Sequence, residues 1–146
     1  MKKIISLFII LVLFSFGKNT ATTLIKFKVG QVWHYKTRLG EEASTLTILK
    51  VEHYKKEGTI VHIYIGGLHL KNPNTESGFS TEISHTPISQ QALAESVTRL
   101  ATKKEKLPDY KKGYDAWKKE FDTGNGGVFS IPVSETLTYT EEVLAQ

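Results

Sequence analysis

The sequence predicts an α+β fold: an antiparallel sheet of three to five strands with two or three helices packed on one face. Three observations carry this. Between Val29 and Leu70, β-branched and aromatic residues alternate with polar ones, and glycines break the run. Beyond Thr86 the apolar residues recur at helical spacing instead. There is no cysteine, so stability must come from a packed core and not from disulfides.

The first residues read as an export signal. Met1, Lys2 and Lys3 precede an apolar run from Ile4 to Phe14, and small residues follow where a signal peptidase would cut. Residues 1–21 are therefore the expected signal peptide, cleaved after Gly17, with Ser15 at the −3 place, or after Ala21. The run is shorter than the roughly 20 apolar residues that a spanning helix needs. Without a cysteine there is no site for a lipid anchor, so no stable membrane anchor is expected after cleavage. The remainder, residues 22–146, has the usual size of one globular domain. Of the formal net charge of +4, Lys2 and Lys3 account for two, and Lys18 for a third if the cut follows Ala21. A mature chain so close to neutral gives no electrostatic case for nucleic acid as a partner.

The first strand runs from about Val29 to Arg38. Val29, Trp33 and Tyr35 alternate with Gly30, Val32, His34, Lys36 and Arg38, so one face is apolar and the other turns cationic. The second, Ser44 to Tyr54, changes the parity of its apolar residues after Ile48, which predicts a bulge or burial on both faces. The third, Thr59 to Ile65, is the most apolar and is expected at the centre of the sheet. Val61, Ile63 and Ile65 face one way there, and Ile60, His62 and Tyr64 the other. Gly66-Gly67 reads as a bulge or bend inside a strand that resumes through Leu70. A loop from Lys71 to Phe79 leads to a fourth strand, Ser80 to His85.

Thr86-Pro87 then reads as a helix start, with Ile88, Leu93, Val97 and Leu100 as its apolar stripe to about Lys103. After a lysine-rich connector, Asp109 caps a second helix on which Tyr110, Tyr114, Trp117 and Phe121 share one face. Docking of that face on the sheet explains the row without a sugar-binding role. Gly124 ends this helix. Val128 to Val133 reads as an edge strand, and Ser134 as the cap of a terminal helix.

Recognisable catalytic spacing is missing. The chain has no Gly-x-Ser-x-Gly elbow, no His-x-His and no His-Glu-x-x-His. Gly124-Asn125-Gly126-Gly127 follows a helix and precedes a strand, the reverse of a phosphate loop. Glu41-Glu42 and Glu141-Glu142 read as solvated charge. For metal, His34 and His62 are the best pair, with Tyr64 or Glu52 as further ligands. Partner-binding candidates are His34, Lys36 and Arg38 on the first strand, and Lys111 and Lys112 on the aromatic helix.

The expectation is therefore an exported, periplasmic or extracellular protein of the bacterial envelope. It is expected to be a non-enzymatic binding or accessory protein, inhibitor-, immunity- or adaptor-like, without a cofactor. Its partner is another protein or an anionic envelope polymer. The alternative is a metal-binding protein or metal-dependent hydrolase built on strand histidines.

Overall fold

The computed structural model describes residues 25–146, so the expected signal peptide lies outside the described residues. β1 (Gln31–Tyr35), β2 (Thr45–Tyr54), β3 (Gly58–Lys71) and β4 (Phe79–Ser89) form an antiparallel meander. The helix α1 (Gln90–Ser96) leads into β5 (Val97–Lys103), which returns to pair with β1. The sheet order is thus β4-β3-β2-β1-β5, followed by α2 (Lys111–Asp122) and α3 (Val133–Leu144). This is the α+β sheet with packed helices that the periodicities predict.

Alternation on the central strands builds the core. Leu46 and Ile48 of β2 and Val61, Ile63 and Ile65 of β3 are fully buried and pack with Leu93 of α1 and Val133 and Leu137 of α3. Two helices therefore share one face of the sheet. Ser96 joins them: its hydroxyl donates to the Ala92 carbonyl at 2.7 Å and accepts the Val133 N–H at 3.0 Å. α2 lies over the opposite face, against Tyr54, His62 and His85.

The expected parity change in β2 is a bulge. Register slips between Ile48 and Lys50, so Leu49 is the extra residue and Lys50, Val51 and Glu52 reverse the alternation. Gly66-Gly67 also sits in a bulged stretch, with β3 continuing to Lys71. Gly67 has φ +75°, and a Cβ there would lie 3.1 Å from Ser44 Cα, so glycine is required on both counts.

Three expectations need correction. Thr86 to Lys103 is not one helix: β4 runs on to Ser89, only Gln90–Ser96 is helical, and Val97–Lys103 is β5. Pro87 is tolerated because β4 is an edge strand, where a missing N–H interrupts no outer ladder. Val97, Thr98 and Thr102 fit a pleated strand, and pairing with β1 overrides the helical spacing of the apolar residues. Val128 to Val133 makes only a single bridge, Phe129 to Ile88. Glu41 is not solvated but 4% exposed, and it pairs with Arg38, as does Glu141.

Candidate functional site

The bulge at Leu49 has a chemical consequence, because it turns Lys50 and Glu52 onto the face occupied by His62. His62 stands opposite Lys50 on one side and Pro87 on the other, so β2, β3 and β4 bring Glu52, His62 and His85 into one line. Glu52 Oε2 lies 2.9 Å from His62 Nε2, and His62 Nδ1 lies 2.9 Å from His85 Nε2. His62 itself has no solvent exposure. The result is a carboxylate–imidazole–imidazole chain spanning three strands.

The helix α2 closes over this chain. Tyr114 and Trp117 meet the His62 ring edge-on at centroid distances of 5.1 and 4.8 Å. The Tyr114 hydroxyl donates to Glu52 at 3.0 Å and accepts from Lys50 Nζ at 2.7 Å. Close approach is possible because Gly113 faces His85: a Cβ at that position would lie 2.8 Å from the His85 Cβ. Phe121 completes the contact against Tyr54. The aromatic row thus packs on the sheet as expected, although α2 has no fully buried residue.

Proton positions follow from the geometry. The ionised Glu52 accepts only, so His62 carries its proton on Nε2 and presents Nδ1 as an acceptor for the Nε2–H of His85. No buried side-chain nitrogen or oxygen among the described residues lacks a partner. Burial, the largest contribution, lowers the pKa of His62 against the opposing pull of Glu52. Burial, together with the neighbouring His62, pushes His85 down to about 4. Burial alone would raise Glu52, but hydrogen bonds from Lys50 and Tyr114 outweigh it and hold the carboxyl below its usual range. At neutral pH the chain therefore contains one anion and two neutral rings.

This geometry does not favour metal. The ring nitrogens face each other at hydrogen-bond distance instead of converging on a point, and no group of three or more His, Asp or Glu suited to an ion occurs among the described residues. His34 is not brought to His62. Trp33 pairs with Leu46, and Thr45 with Gly66, so His34 stands level with Gly66, two strands and four residues from His62. Standard strand spacings make that about 10 Å across the sheet and about 13 Å along it. Tyr64, the other proposed ligand, donates to Glu82.

The partner-binding candidates fall into different settings. His34 pairs in register with Arg99 of β5, and Lys36 reaches the Glu95 carbonyl at the same rim. Arg38 instead joins the β1–β2 loop to α3: Nη2 lies 2.6 Å from Glu41, and Nη1 lies 2.8 Å from Glu141. Its side chain is only 17% exposed, so it is a structural tie and not an open cation. Lys111 pairs with Asp115 on the exposed surface of α2, and Lys112 is exposed beside it.

Sequence reasoning placed His62 on the right face but missed His85, Tyr114 and Lys50 as its companions. The parity change in β2 was the available signal, since it implies that Lys50 and Glu52 join the His62 face. β5 was missed as well. Among the described residues it pairs with β1 alone, and Thr98 to Lys103 are all exposed. No family model matches the chain, and neither does any curated protein or solved structure.

Proposed function

We propose that the chain is a small exported, non-enzymatic binding or accessory protein of the bacterial envelope, which holds a protein partner on the cationic rim formed by β1 and β5. The observation behind this reading is the contrast between two sets of polar residues. Those beneath α2 and around Arg38 bond to each other, whereas Arg99, beside His34, and Lys103, level with Gln31, stand exposed on an open sheet edge. Open cations of this kind steer an acidic surface and raise its on-rate.

The test is native mass spectrometry of the protein purified gently from its own host's envelope fraction, with and without Lys36→Glu, Arg99→Glu and Lys103→Glu. A co-purifying protein that is lost from the triple variant, with the thermal midpoint unchanged, is the expected result. A partner retained by the variant would rule out this rim. A stoichiometric metal ion would instead favour the histidine-based alternative, and a bound anionic polymer would displace a protein as the partner.

A further inference from the structure

We infer that β5 accepts an extended acidic segment of the partner as an added outer strand. This rests on the binding role proposed above and specifies how the partner is held. A sheet edge presents a row of backbone N–H and C=O groups that a second chain can complete, and the side chains beside it select which chain does so. β5 offers such an edge: it pairs only with β1 among the described residues, and Leu100 is 49% exposed on it. Neither α1, α2 nor α3 shields the run from Thr98 to Lys103.

Charge selects the occupant. Arg99 and Lys103 lie on β5, and Lys104 and Lys106 follow it with only Glu105 between them. A second copy would bring the cations of both chains, Arg99 on one face and Lys103 on the other, to one seam, which like-charge repulsion disfavours. The chain's own residues 1–24 contain no Asp or Glu and cannot match the cations either. The register against β1 slips at Ala101 and at Thr98, so β5 is bulged at two places. Bulges and lysines protect an edge against indiscriminate pairing. The bulge at Ala101 also turns Arg99 to the His34 face and Lys103 to the Gln31 face, so the edge that remains suits a short strand with one carboxylate on each face, three residues apart.

The test uses the mature protein and an acetylated hexapeptide Val-Glu-Thr-Val-Glu-Thr, whose glutamates fall on opposite faces of a strand, together with its two alternately N-methylated forms. These forms keep the charge but remove one or the other set of backbone donors. Amide exchange by NMR should show slowed exchange at outward-facing amides of β5 with the parent peptide. One N-methylated form should lose this protection and the other retain it. Charge reversal at Arg99 or Lys103 should weaken binding about threefold each, as expected for exposed ion pairs. Equal binding of both methylated forms would overturn strand addition while leaving the cationic rim intact. Protection that grows with protein concentration alone would make a second copy the occupant and overturn the proposal. Failure of the parent peptide to bind would also overturn it; the rim reading would then fall only if the triple variant kept its natural partner.

Discussion

Glu52→Ala removes the carboxylate on which the chain beneath α2 terminates. In the native protein Glu52 accepts from His62 at 2.9 Å and from Tyr114 at 3.0 Å, with Lys50 Nζ at 3.1 Å. His62 is fully buried, so without Glu52 its Nε2 has no partner in either tautomer while Nδ1 remains bonded to His85. An orphaned buried donor costs about 1–3 kcal/mol, and loss of the partly exposed bonds to Tyr114 and Lys50 adds about 1 kcal/mol more. The expected loss is about 3 kcal/mol, equivalent to a fall of about 12 °C in Tm for a domain of this size. Glu52→Gln keeps an acceptor for His62 and should cost about 1 kcal/mol. Guanidinium chloride unfolding of both variants measures the difference. A loss below about 1 kcal/mol for Glu52→Ala, or equal losses for the two variants, would refute the view that a satisfied acceptor at Glu52 holds the site together. Combining Glu52→Ala with His62→Leu should destabilise less than the sum of the single changes, because the orphaned donor is gone.

Acid should weaken the fold in a window set by the histidines. His85 stays neutral in the folded chain down to about 4 but titrates near 6.5 when unfolded, and His62 shifts in the same direction. As pH falls from about 6.5 the unfolded chain therefore binds more protons and stability declines, until His85 charges in the folded state near 4. The denaturation midpoint of His85→Gln should fall less steeply across that window, and an NMR titration placing His85 near 6.5 in the native protein would contradict this. Arg38→Ala should cost about 3 kcal/mol, because it strands the buried Glu41 carboxylate with only the His69 N–H at 3.0 Å. Arg38→Lys should recover little, since one ammonium cannot span Glu41 and Glu141 as the guanidinium does; recovery to native stability in denaturant would count against that geometry.

Local pattern made much of the sheet legible. The alternation of Val61, Ile63 and Ile65 gave β3 and its core face, the parity change after Ile48 gave the bulge, and the Gly66-Gly67 pair gave the bend. Each of these is written within a few residues of chain. The segment from Thr86 to Lys103 was misread because its apolar spacing suits a helix, while the partner that makes Val97–Lys103 a strand lies far away at Gln31–Tyr35. Glu141 escapes local reading for the same reason, since its partner Arg38 lies 103 positions away, whereas Glu41 pairs with Arg38 only three residues off and its burial comes from the packed loop.

The sequence by itself determined the α+β class, the faces of the β3 side chains and the aromatic row of α2, because periodicity is a local property; β3 was expected at the centre, but β2 holds that place and β3 lies between it and the edge strand β4. Only the tertiary structure decided that β5 closes the sheet beside β1, that Arg38 joins a loop to α3, and that Glu52, His62, His85 and Tyr114 form one hydrogen-bonded chain. Those features depend on strand order and register across segments distant in sequence, and a single chain's residue pattern carries neither.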